Sequence, residues 1–168
     1  MKNFFKKQPP LFSVKKNRGF MMVEILVAVS IITVSILVVM WVAQKSVAVS
    51  RQALHASQAS FLLEEGAEVV RILRDNGWVN IDSLDTSSTY YPVFASGTWG
   101  LSEDSSQTGI FSRTITIDDV NRDAVSGDID PSGVLDPGAR LITVTVSWSE
   151  SGQTITKTLS FYIFDIFS

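Results

Sequence analysis

The chain has 168 residues, no Cys and a single His, His55; this excludes disulfide frameworks, thiolate metal sites and cysteine nucleophiles, and leaves no conventional route to a His-dependent triad. The net charge of −3 conceals an asymmetry, because residues 1–19 carry six bases and no acid while the remainder sets eight bases against all 17 acids, a net of −9. A body that acidic is a poor nucleic-acid binder, since phosphate contact needs clustered Lys and Arg.

The basic leader (Lys2, Lys6, Lys7, Lys15, Lys16, Arg18) precedes an apolar run from Ile25 to Ala43, 19 residues interrupted only by Ser30, Thr33 and Ser35. As a helix at about 1.5 Å per residue the run spans about 28 Å, close to the ~30 Å apolar core of a bilayer. The small hydroxyls are compatible with lipid, because they can bond back to carbonyls of their own helix. The run is longer than the core of a secretory signal, and Ala43-Gln44-Lys45 is a weak cleavage junction. The leader outweighs Lys45 and Arg51 on the far side, so the amino end is expected in the cytoplasm and the body outside it. Glu24 is the misfit, an ionisable group at the edge of the apolar run that calls for a partner.

Gly19, Phe20, Glu24, Leu26, Val27, Ala28 and Ile31 together make a basic leader ending in Gly, then Phe, a carboxylate four residues on, and an unbroken apolar helix. In this the sequence resembles the type IV pilin family, including minor pilins and the pseudopilins of type II secretion systems. The resemblance implies cleavage between Gly19 and Phe20 by a prepilin peptidase, N-methylation of Phe20, and assembly into a filament in which Glu24 takes part. The implied partners are other pilin subunits, the prepilin peptidase, an assembly platform and the membrane. The leader is longer than many pilins carry, and no Pro interrupts Val39-Met40-Trp41-Val42, so the backbone ladder there need not break.

Beyond Gln44 apolar residues recur at Val47, Leu54, Phe61/Leu62, Val69 and Ile72/Leu73, with Ala53, Ala56, Ala59 and Ala67 filling in, which predicts an amphipathic continuation. Glu68 and Arg71 form an i,i+3 pair, and Asn76-Gly77 supplies a C-cap. One helix from Phe20 to Asp75 is expected, about 84 Å long, with 20–43 in the membrane and 44–76 amphipathic.

Residues 77–168 switch to period two. Ile142, Val144, Val146 and Trp148, then Ile155, Leu159, Phe161 and Ile163, alternate with hydroxylated residues around Glu150-Ser151-Gly152, the pattern of an antiparallel hairpin. Phe111, Ile115 and Ile117 mark another strand, and Tyr91–Ala95 a short one that Pro92 places at an edge. The expected class is α+β: a long N-terminal helix with a membrane-spanning first half, packed against a small antiparallel β-sheet. The aromatics are read as core, and His55 as a solvated residue of the helix.

The acidic stretch Asp118–Asp136 is expected to be a loop whose carboxylates make local turns. It also contains oxygen ligands at calcium-like intervals, Asp128, Asp130, Ser132 and Asp136, with Gly133 at a tight turn and the carbonyl of Val134 nearby; Ala139 stands where a bidentate Glu would complete the set. No cofactor other than this possible Ca²⁺ is expected. No Walker loop, nucleophile elbow or dinucleotide fingerprint is present, so the chain is not read as an enzyme. The expected function is that of a minor pilin or pseudopilin in a pilus or secretion filament, and the alternative is a single-pass anchored extracytoplasmic binding domain that never polymerises.

Overall fold

A computed structural model of the chain describes residues 18–167, with side chains from Met21 onward. One helix, α1, runs from Arg18 to Asp75. A single turn, α2 (Val79–Asp82), follows, and then six strands: β1 (Thr89–Ala95), β2 (Thr98–Ser102), β3 (Gln107–Thr108), β4 (Phe111–Arg122), β5 (Val134–Glu150) and β6 (Gln153–Phe164). The chain divides into two compact units with the boundary at Val49/Ser50, inside α1. The architecture is the expected α+β one: the second half of the long apolar helix packs on a small antiparallel sheet.

The sheet runs β2-β1-β4-β5-β6, with β3 paired to β4 beside it. Its longest pairing is the expected β5–β6 hairpin, in register from Ala139↔Phe164 to Glu150↔Gln153. The turn is Ser151-Gly152 with φ of 52° and 79°. Positive φ at both positions gives a turn whose twist matches that of the flanking strands. Ser96-Gly97 repeats this chemistry between β1 and β2 (φ 53° and 83°), a hairpin whose second strand the sequence pattern did not reveal. β1 pairs with β4 only at Thr89 and Tyr90, then pairs with β2 alone. Pro92 falls in that one-sided stretch, where a residue without an N–H is tolerated.

The core lies between α1 and the inward row Ile115, Ile117, Ile142, Val144, Val146 and Trp148. The helix meets it with both small and branched residues: Ala59, Leu63, Gly66, Ala67, Val69 and Val70 are buried. This corrects the apolar recurrence in part. Val69 is buried and Leu62 and Leu73 pack against the core, but Val47, Leu54 and Phe61 are 59%, 56% and 68% exposed. At Gly66 the helix approaches the sheet closely, since a Cβ there would stand 2.7 Å from Val144 Cγ1. Contact this close requires Gly at that position.

α1 ends as its sequence indicates. Gly77 takes φ 134°, and the Asn80 side chain donates to the Leu73 carbonyl at 3.2 Å. The Trp78 indole N–H donates to the Pro137 carbonyl at 3.2 Å, tying the crossover to β5.

Candidate functional site

Gly19 and Phe20 lie in the first turn of α1; residues 1–17 of the leader lie outside the described residues. Glu24 is exposed on the same helix, four residues from Phe20 and so about 6 Å further along the axis. Residues 21–43 are exposed throughout, including Leu26 at 68% and Trp41 at 66%. The segment is long and apolar enough to cross a membrane. Its three hydroxyls satisfy themselves within the helix, from Ser30, Thr33 and Ser35 to the carbonyls of Leu26, Val29 and Ile31 at 2.7–2.8 Å. Nothing polar on the span apart from Glu24 therefore needs a partner from outside.

The acidic stretch is not one loop. Asp118 and Asp119 belong to β4 and Asp136 to β5, so only the segment between Arg122 and Val134 leaves the sheet. Asp123 accepts from the backbone N–H groups of Ser126 (2.7 Å) and Val125 (2.8 Å), which hold its carboxyl below the ordinary range. Asp130 accepts from Ser132 N–H at 2.8 Å. Asp136 accepts from Arg122 Nε at 2.5 Å and from Gly138 N–H at 2.9 Å, and the Arg122 bond is the main cause of its lowered pKa.

The expected calcium ligands Asp128, Asp130, Ser132 and Asp136 are thus not gathered. Among the described residues no three His, Asp or Glu side chains converge as a metal site would require. A hard cation takes six to eight oxygens, and here Asp130 and Asp136 spend theirs on N–H donors; the residues do not fit the ion. Gly133 stands at a tight turn as its spacing implied, donating its N–H to the Asp130 carbonyl at 2.9 Å, and a Cβ there would also overlap the Arg122 carbonyl.

His55 also departs from expectation. Its side chain is 20% exposed, stands edge-on to Phe111 with ring centroids 6.2 Å apart, and brings Nδ1 to 3.6 Å from Glu150 Oε1. It borders an apolar groove of about 490 Å³ between Gln58, Phe61 and Leu62 on the helix and the β3–β4 turn.

Three cations on the inward face of the sheet escaped the sequence reading. Arg113 is 6% exposed and reaches Glu65 at 3.2 Å and the Leu62 carbonyl at 3.3 Å. Arg140 is 7% exposed and holds Asp82 of α2 at 2.6 Å. Lys157 Nζ donates to the Ala56 carbonyl at 3.1 Å and to Ser60 Oγ at 3.3 Å. Their signal was parity: each occupies an inward position of an alternating strand, where a cation must find acceptors on whatever covers the sheet.

On the opposite face, Leu141 and Tyr162 pair across β5 and β6 and floor a cleft of about 260 Å³. Ile129 and Pro131 wall it, with Asp119 and Asn121 on its rim. Asn121 fixes that wall: its side-chain amide donates to the Pro131 carbonyl at 3.1 Å, and its backbone carbonyl accepts from Asp130 N–H at 3.0 Å.

No protein-family model, curated protein or solved structure matches the chain significantly.

Proposed function

We propose that the chain is a filament subunit, a minor pilin or pseudopilin of a type IV pilus or type II secretion-like filament, and not an enzyme. The observation that carries the reading is the junction Gly19-Phe20 followed by Glu24 at the head of an apolar helix that continues without a break to Asp75. In this reading a prepilin peptidase on the cytoplasmic face removes residues 1–19, the new Phe20 amine is methylated, and the body stays outside, anchored through 20–43. Cleavage leaves a cation at Phe20 one helical turn from the Glu24 carboxylate. Buried between apolar helices, either charge alone is costly. The Phe20 ammonium of one subunit and Glu24 of its neighbour neutralise each other when the register is correct.

Mass spectrometry of the native protein should show loss of residues 1–19 and one added methyl at Phe20. Glu24→Val should be cleaved and membrane-inserted as usual but enter filaments poorly. An intact Met1 terminus in cells that hold the peptidase overturns the processing step. Normal incorporation of Glu24→Val overturns the pairing, whereas absence of the native chain from filaments leaves an anchored domain that does not polymerise as the better account.

A further inference from the structure

We infer that the cleft floored by Leu141 and Tyr162 is a binding subsite for a neutral saccharide, with a sugar ring stacked on Tyr162. The inference does not depend on filament assembly, because every residue it uses lies on the sheet and its Arg122–Val134 loop.

The site has the parts such a ligand requires. Tyr162 is 45% exposed, and among the described residues its phenol has no hydrogen-bond partner, so both ring face and O–H are available. An aromatic ring offers its apolar face to the C–H side of a sugar, while polar groups at the rim meet the hydroxyls. Those groups are the amide of Asn121 and the carboxylate of Asp118, which is exposed and pairs with Leu141 across β4 and β5 in the same row; Asp119 borders the cleft but turns its carboxylate toward Arg140 Nε at 3.6 Å. The cleft is preformed, because the two Asn121 bonds already hold the Ile129–Pro131 wall. Little ordering is left for binding to impose. In this light the turn-forming aspartates make a rigid wall for the cleft.

Charge selects the class of ligand. The exposed carboxylate of Asp118 disfavours a polyanion at the rim. Away from the cleft, toward the β5–β6 turn, the same face carries no charge at all. Its rows across β4, β5 and β6 read Thr116–Thr143–Ser160, Thr114–Thr145–Thr158 and Ser112–Ser147–Thr156. A chain of sugar units leaving the cleft would cross three rows of hydroxyls, each able to donate and accept. A polycation would find no run of carboxylates there, and an apolar peptide would strand its own surface on hydroxyls.

The test uses the full chain in a zwitterionic detergent, because a sugar-headed detergent would itself compete. Cellohexaose, chitohexaose and maltohexaose are titrated by calorimetry, with an oligogalacturonate as the anionic arm. At least one neutral oligosaccharide should bind. Tyr162→Ala should weaken that binding about tenfold, Tyr162→Phe should keep it within about threefold, and Phe61→Ala in the opposite groove should leave it unchanged. Near-UV circular dichroism checks that the half-exposed Tyr162 variants keep the fold. Failure of all three neutral sugars to bind, equal binding by Tyr162→Ala, or tighter binding of the anionic oligomer would overturn the proposal.

Discussion

The two halves of α1 share a backbone conformation and obey opposite rules of composition. From Met21 to Ala43 the helix is large and apolar all round and every side chain is exposed, whereas its buried positions beyond Ser50 are Ala59, Leu63, Gly66, Ala67, Val69 and Val70. Size and hydrophobicity therefore do not mark the protein's own core on this helix. In the first half they match a lipid solvent, which needs no shape complementarity. In the second half closeness to the sheet decides, and small residues permit it.

The comparison is broken most directly by equal truncations in the two halves. Leu63→Ala removes a side chain that is 7% exposed and packed in the core, and should destabilise the folded unit by about 2–4 kcal/mol. Leu37→Ala deletes the same atoms from a residue that is 61% exposed and should leave denaturant unfolding unchanged when followed through the aromatic signal of the sheet. Equal losses would show that the first half is also part of a protein core.

Gly66→Ala is the next largest effect. In most helix interiors this change is favourable by about 1 kcal/mol. Here the new Cβ meets Val144 at 2.7 Å, and the overpacking should reverse the sign to a loss of about 1–3 kcal/mol. The double variant Gly66→Ala with Val144→Ala should recover part of that loss, because the clash and its relief share one site.

Much of this was legible in the sequence, for identifiable reasons. The apolar run, the Asn76-Gly77 stop and the strand pair Ile142–Trp148 with Ile155–Ile163 are signals of period or of single residues, and each appears where it was expected. The helix face was less legible. Val69 and the filling Ala59 and Ala67 are buried as expected, but Val47, Leu54 and Phe61, which repeat every seven residues as a buried stripe would, are exposed, and Leu63, Gly66 and Val70 take the face instead. Arg113 and Lys157 were hidden because an inward cation is recognised only once its acceptors, Glu65 and the Ala56 carbonyl, are in place. The aspartates from 123 to 136 left two readings open for a related reason, and their local turns are the one observed. Calcium ligands and turn caps use the same residues at similar spacing, and only the direction of the carboxylates separates them.

A smaller effect concerns acid. Asp136 bonds to Arg122 and has its pKa lowered in the folded chain, mainly by that bond. The native state therefore holds fewer protons than the unfolded one at mildly acidic pH. The pair's stabilisation is present in full above the unfolded carboxyl value of about 3.9 and is lost as pH falls through the lower folded value. Asp136→Asn should lower stability at neutral pH and flatten the acid limb of a stability–pH curve. Asp123, capped by Ser126 and Val125, has its pKa shifted in the same direction, so part of the acid limb should survive in that variant.

The smallest effect is expected at Phe61, and it sharpens the comparison further. Phe61 is large and apolar and stands on the half of the helix that packs against the sheet, yet it is 68% exposed beside the Gln58 and Ile110 groove. If hydrophobic size governed the second half, Phe61→Ser would cost as much as a core truncation. If closeness to the sheet governs it, the side chain has little burial to lose and the change should fall within about 0.5 kcal/mol of zero. Its neighbour Leu62 is partly buried and packed against the core, so Leu62→Ser should be clearly more destabilising even though one position of rotation is all that separates the two. Denaturant midpoints for these adjacent variants, measured at equal m-value, decide between the two rules, because composition and helix propensity are almost the same in both and only the direction of the side chain differs.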